Sequence, residues 1–268
     1  YSAPSPRWSA AVLDDHPDAI SKIHSEYLKI GAELITTATF RTTRRVYDTV
    51  GRPELAEELT HRAVDIARYA IGDKKAFIAG SVAPLEDCYR PDLVPDDEIL
   101  YNEHEEQIRW LIDAGVDCLL FETMNTVREG AICSRIASEK NIPFFTSFIC
   151  NDELKLLSGE SVMDAYRAIK PYQPAGFLIN CTAPETITSV FRKFASNIDL
   201  PVGAYANAGK SKPEQDGVIS DIYTPQEFLV EIRGWLELDP VLIGGCCGST
   251  PEHIHLISEY IATEKDTL

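Results

Sequence analysis

Gly244-Gly245-Cys246-Cys247-Gly248 closes a short apolar run with two adjacent cysteines framed by glycines. Sequence neighbours seldom form a disulfide with each other, because the ring is strained. Their soft thiolates suit Zn2+, and one more sulfur makes a three-cysteine site with an open fourth position. Asn180-Cys181-Thr182 ends another apolar run and supplies that sulfur. Three protein ligands and an open position describe a metal that meets a substrate. The alternative for Cys246 and Cys247 is a pair of small buried thiols at a tight turn, since cysteine is often buried. The glycines favour the metal, because they let the backbone turn sharply enough for consecutive sulfurs to face one ion.

These residues must be positioned by the elements that carry them. Helical periodicity is read over 18–30, with Ile20, Ile23, Tyr27 and Ile30 on one face and Gly31 as a stop. Further helices are read over 53–71, 96–114, 126–139, 161–169, 184–194, 224–235 and 251–261. Short apolar runs over 33–37, 76–80, 118–121, 143–149, 176–179, 202–205 and 241–243 read as strands. Near-continuous apolar strands alternating with amphipathic helices mean a parallel sheet covered by helices. Eight helices and seven strands, opening on a helix, give the expected count of an α/β (β/α)8 TIM barrel whose first strand is absent from this sequence. A doubly wound sheet is the competing fold, but no Gly-x-Gly-x-x-Gly follows a strand. No linker or composition shift divides the chain, so residues 1–268 are read as one barrel domain.

In such barrels chemistry gathers at the carboxyl ends of the strands. The residues expected there are Thr37, Thr39, Phe40, Ser81, Glu122, Asn180, Cys181, Asn207, Cys246 and Cys247. Glu122 ends the run Cys-Leu-Leu-Phe-Glu. It reads either as a clamp for a substrate ammonium or as a carboxylate paired with a backbone or an arginine. Arg41, Arg44 and Arg45 read as a solvated helix start, with carboxylate binding by Arg41 as the other reading. The loop from Asn207 to Tyr223 is long enough to cover a substrate. Cys118 and Cys133 are expected in the core, whereas Cys88 and Cys150 are ambiguous. His253 and His255, two apart on a helix, point to different faces and are not ligands.

The formal net charge of −17 argues against nucleic acid or an anionic membrane as partner. No apolar run reaches the roughly 20 residues that cross a bilayer, and nothing at the start reads as a secretion signal. Seven cysteines without repeated spacing read as thiols in a reducing cell, so a cytoplasmic location is expected. A homo-oligomer is left open.

With Cys181, Cys246, Cys247 and Glu122 in hand, the chain resembles the homocysteine S-methyltransferase family, which includes S-methylmethionine- and betaine-dependent enzymes and the homocysteine-binding barrel of cobalamin-dependent methionine synthase. The matching stretches are Gly31-Ala32-Glu33 through Thr36-Thr37-Ala38-Thr39-Phe40, Gly80-Ser81-Val82-Ala83-Pro84, Phe121-Glu122-Thr123, Ile179-Asn180-Cys181 and Gly244-Gly245-Cys246-Cys247-Gly248. The resemblance implies a zinc-binding (β/α)8 barrel in which Cys181, Cys246 and Cys247 hold the metal and the homocysteine sulfur takes the open position. It implies that Glu122 holds the amino-acid ammonium, and that Asn180 and the segment from Thr37 to Phe40 line the pocket. The family opens with a strand carrying Asp-Gly and a nearby glutamate, and this sequence is expected to begin after it.

The activity expected is zinc-dependent methyl transfer from a sulfonium, S-methylmethionine-like donor to the thiol of homocysteine, giving methionine. A cationic donor could rest on Phe40 by cation–π attraction. The betaine-using branch carries a tyrosine where Arg41 stands, and an arginine is a poor neighbour for a quaternary ammonium. The competing readings are the homocysteine module of a betaine- or cobalamin-dependent system, and a non-catalytic thiol-binding barrel.

Overall fold

Seven strands, each short and apolar, are carried by helices whose ends the local sequence marks. The computed structural model describes residue 7 and residues 9–210 and 221–265. In chain order it runs α1 (Ser9–Asp15), α2 (Pro17–Lys29), β1 (Leu34–Thr36), α3 (Arg44–Asp48), α4 (Leu55–Ile71), β2 (Phe77–Val82), α5 (Asp97–Ala114) and β3 (Cys118–Met124). It continues α6 (Val127–Lys140), β4 (Phe144–Phe148), α7 (Val162–Ile169), β5 (Gly176–Asn180), α8 (Pro184–Phe194), β6 (Val202–Ala206), α9 (Pro225–Ile232), β7 (Leu242–Gly245) and α10 (Pro251–Lys265). Asp96, Thr126, Ser161 and Thr224 cap α5, α6, α7 and α9 by accepting an early backbone N–H, which satisfies donors that have no partner within the helix.

All seven strands pair in parallel in sequence order, β1 to β7, as one sheet that curls into a half-barrel with the helices outside. Among the described residues β1 and β7 each pair on one side only. The alternation of side chains along a strand then sorts residues into two populations. Leu119 and Phe121 on β3, Phe177 and Ile179 on β5, and Val202 and Ala204 on β6 belong to the large core beneath the helices. Ala79, Cys118, Leu120, Leu178 and Tyr205 form a second cluster inside the curl, with Leu34, Phe145, Leu242 and Cys246 against it. One step beyond the apolar part of that cluster, towards the carboxyl ends, the same inward alternation puts Ser81, Glu122, Ser147 and Asn180. The interior therefore changes from apolar to polar towards the end where chemistry is expected.

The expected alternation is found, with differences at the margins. The helices α1 and α3 are additional, being too short to show a period. Strand β3 runs past Glu122 to Met124 through a register shift against β4, which the polar residues Thr123 and Asn125 had hidden. Helix α9 stops at Ile232 and gives way to a 3-10 turn over 233–238, consistent with Gly234 in an otherwise helical pattern. Among the described residues no helix is long and apolar enough to cross a membrane.

Candidate metal centre and pocket

Cys181 follows the last residue of β5 in a left-handed backbone conformation, φ 50°. Its backbone N–H reaches Tyr205 O on β6 at 3.2 Å. Cys246 and Cys247 leave β7 in a turn held from the β6 side: Cys246 N donates to Ala206 O at 2.7 Å, Cys247 N donates to Asn207 Oδ1 at 3.2 Å, and Ala208 N donates to Cys247 O at 2.8 Å. Two glycines make this turn. A Cβ on Gly245 would stand 2.5 Å from Ser249 Cβ, and Gly248 has φ +78°. Ser249 closes the turn by donating its hydroxyl to Cys246 O at 2.7 Å.

The three Sγ atoms all lie within 4.8 Å of one another, and Cys181 Sγ is 3.7 Å from Cys247 Sγ. Tetrahedral ligands on Zn–S bonds of about 2.3 Å stand about 3.8 Å apart, so this spacing fits zinc and the all-sulfur set suits its softness. Without a cation the sulfurs share protons unequally. Hydrogen bonds from Cys246 first, then Cys247, hold the Cys181 thiol well below its usual range. Cys246 is driven well up by the same bonding and by burial, and Cys247 to about 12 by its bond to Cys181. Two thiols thus keep their protons around one proton-poor sulfur, an arrangement that a dication would complete by displacing both.

Glu122 lies half-buried on the adjoining wall, accepting a hydrogen bond from the Ser81 hydroxyl. Burial lifts its carboxyl to about 7, with the Ser81 bond opposing the shift. Thr37 and Thr39 bond each other at 2.7 Å and grip Ser81 by its backbone, Thr39 Oγ1 donating to Ser81 O and Ser81 N donating to Thr37 Oγ1. A cavity of about 2310 Å3 joins these groups and runs out through the gap between β1 and β7; Phe40, Ser81, Tyr89, Glu122, Cys181 and Cys246 line its inner part.

Of the residues expected at the site, Thr37, Phe40, Ser81, Glu122 and the three cysteines face this cavity. Thr39, Asn180 and Asn207 do not line it; they brace what does. Asn180 is fully buried and bonded to Thr123 and Ser147. Arg41 is buried beneath the loop after β2, donating to the carbonyls of Pro84 and Glu86, with its guanidinium 5.2 Å over the Phe40 ring. Arg44 and Arg45 pair with Glu106 and with Glu103 and Glu86. Cys88 is buried beside the cavity, and Cys118, Cys133 and Cys150 are also buried. His253 bonds Thr250 and Tyr223 O, and His255 lies near Glu259. Residues 211–220 of the expected covering loop lie outside the described residues.

Sequence reasoning missed Tyr89, whose hydroxyl lies 3.3 Å from Cys181 Sγ. The signal available was an aromatic residue in a loop at the active end of a strand. Glu129, His104 and Asn125, buried behind that loop, had none.

A curled parallel sheet with three thiols and a carboxylate gathered at its carboxyl ends defines a class of α/β barrels that can hold a soft metal beside a substrate pocket. The chain belongs to the homocysteine S-methyltransferase family, whose family model matches residues 2–261. It is 28% identical to homocysteine S-methyltransferase YbgG of Bacillus subtilis, over 97% of this chain and 89% of that protein. To homocysteine S-methyltransferase 1 of Arabidopsis thaliana it is 29% identical, over 94% and 86% respectively. The metallated homocysteine methyltransferase MmuM of Escherichia coli superposes with a TM-score of 0.83 at 25% identity, covering 97% of this chain and 90% of that one.

Proposed function

We propose that this protein moves a methyl group from a sulfonium donor of the S-methylmethionine type to the thiol of homocysteine, with zinc held by Cys181, Cys246 and Cys247. The observation that carries the reading is three sulfurs within 4.8 Å of one another, opening onto the cavity that Glu122 lines. Family membership and the metallated form of MmuM support it. Zinc bound there would supply an acceptor sulfur that is deprotonated at neutral pH and still nucleophilic.

The chain's own residues account for the rest. Glu122 takes the acceptor's ammonium, and Ser81 fixes the carboxylate rotamer, itself fixed by Thr37 and Thr39. Asn207 and Ser249 hold the Cys246–Cys247 turn, so the sulfurs are presented in one geometry and not gathered at the moment of reaction. The donor's S–CH3 bond breaks as the acceptor's S–CH3 bond forms. The bonding pair stays with the donor, which leaves as a neutral thioether, and the acceptor's proton passes to solvent. The Phe40 face is already shared with the Arg41 guanidinium, so that ring is a poor seat for the charged head of any cationic donor.

The test is methionine formation from homocysteine with S-methylmethionine, S-adenosylmethionine, betaine or methylcobalamin, using zinc-loaded protein and mass detection. Turnover with a sulfonium supports the proposal. Turnover with betaine or methylcobalamin alone overturns the donor assignment, and no turnover with any donor overturns the activity.

A further inference from the structure

We propose that Tyr89 is a positioning residue of the sulfur cluster: its phenol donates a hydrogen bond to the Cys181 sulfur, and the loop over 84–89 is anchored to deliver it. This rests on the metal reading above and adds to it a residue outside the three ligands.

The loop after β2 is held from below by buried side chains, whereas connecting segments are ordinarily mobile. Arg41 donates to Pro84 O at 3.0 Å and Glu86 O at 2.9 Å. Glu129 accepts Leu85 N at 2.9 Å and is itself bonded to His104 Nε2 at 2.9 Å. Asn125 donates to Cys88 O at 3.0 Å. All four side chains are buried, and they come from the β1–α3 loop, α5, the β3–α6 link and α6. Burying such groups is unfavourable unless they are paired, and here each makes a bond to or beneath the backbone of this one loop, while His104 Nδ1, Asn125 Oδ1 and Glu129 Oε2 find no hydrogen-bond partner among the described residues. The last step is local: Tyr89 N donates to Asp87 Oδ1 at 2.9 Å, turning the chain so that the phenol reaches Cys181.

The direction of the bond follows from the chemistry. A thiolate has no proton to give, so once Cys181 serves as a ligand the phenol is the donor. Donation draws charge off this sulfur and orients it, the role that outer hydrogen-bond partners play around metal ligands.

Tyr89→Phe keeps the ring and removes only the donor. In cobalt-substituted protein, the sulfur-to-cobalt charge-transfer band should move to longer wavelength, because the undamped sulfur is easier to oxidise. Zinc affinity, by competition with a chromophoric chelator, should fall about 10- to 100-fold, with the circular dichroism spectrum and melting curve unchanged. Wild-type protein that binds cobalt and zinc alongside a Tyr89→Phe variant of equal affinity and identical spectrum overturns the role of Tyr89. Wild-type protein that binds neither metal overturns the metal reading itself.

Discussion

Asn180 at the end of β5 clamps Thr123 near the end of β3 with both ends of its amide: Oδ1 accepts Thr123 N at 2.9 Å, and Nδ2 donates to Thr123 Oγ1 at 2.9 Å. Between them on β4, Ser147 donates to the same Oδ1 at 2.6 Å. Thr123 has φ 60°, uncommon for a β-branched residue and held only where the surroundings over-determine it. Its neighbour is Glu122, and the neighbour of Asn180 is Cys181, also left-handed. One amide thus sets the carboxylate and the sulfur relative to each other.

Asn180→Ala should therefore injure both. Leaving Thr123 N and two hydroxyls without partners in the interior is expected to cost about 2–4 kcal/mol in urea unfolding. Zinc retention after dialysis should fall as well. A variant of unchanged stability and metal content would show that the clamp does not position the site.

Metal loading should release protons. Cys246 and Cys247 are held up and Cys181 down in the metal-free protein, so the number of protons that a dication displaces is set mainly by Cys246 and Cys247. Calorimetric titration of zinc in buffers of different ionisation enthalpy measures this number. Affinity should fall as pH is lowered, because protons compete for the same sulfurs.

Acceptor binding should follow Glu122. With its carboxyl lifted to about 7 by burial, the group is neutral below that pH and presents a charge to an ammonium only above it. Homocysteine affinity is expected to rise between pH 6 and 8, by at most roughly tenfold per unit. Glu122→Gln should bind more weakly and keep only the part of the slope that comes from the acceptor thiol giving up its proton; a slope identical to that of the wild type by calorimetry would take the carboxylate out of acceptor binding.

Acid sensitivity has a separate source in His24, buried on α2 and lowered to about 4 by desolvation. The unfolded chain takes up its proton near 6.5 and the folded chain resists, so stability is lost as pH falls from 6.5 towards 4. The loss amounts to about 3 kcal/mol at 1.36 kcal/mol per unit. His24→Gln should flatten this part of the stability curve in denaturant titrations at pH 7 and pH 4.5.

The Cys-Cys turn depends on the absence of a side chain. In Gly245→Ala the new methyl would meet Ser249 Cβ at 2.5 Å. The expected result is lost metal binding with far-ultraviolet circular dichroism retained, read by zinc content after gel filtration.

Much of this was legible in the residues. Strand runs such as 176–179 and 202–205 announce themselves because strands buried on both faces stay apolar along their length, and the Gly-framed cysteines point to one ion by their types alone. What was hidden depends on contacts between residues far apart in sequence. Arg41 is within a local basic cluster, yet its partners are carbonyls 43 and 45 residues away, and no local pattern encodes such a pairing. Asn180 sits where a pocket residue belongs, but its amide turns along the sheet towards Thr123. Position along a strand reveals which end a residue occupies; it does not reveal whether the side chain meets ligand or neighbour.

Cys181 and Cys247 are separated by 66 residues, and among the described residues β7 pairs only with β6. A cation gripped by both therefore works as a rivet, fastening the final strand and α10 to the middle of the sheet and closing a wide loop of chain. Chelation should loosen that edge first, opening β7 and α10 to hydrogen exchange and proteases while β3 to β5 stay shut. The same three sulfurs proposed to serve chemistry are thus expected to set how long β7 and α10 survive.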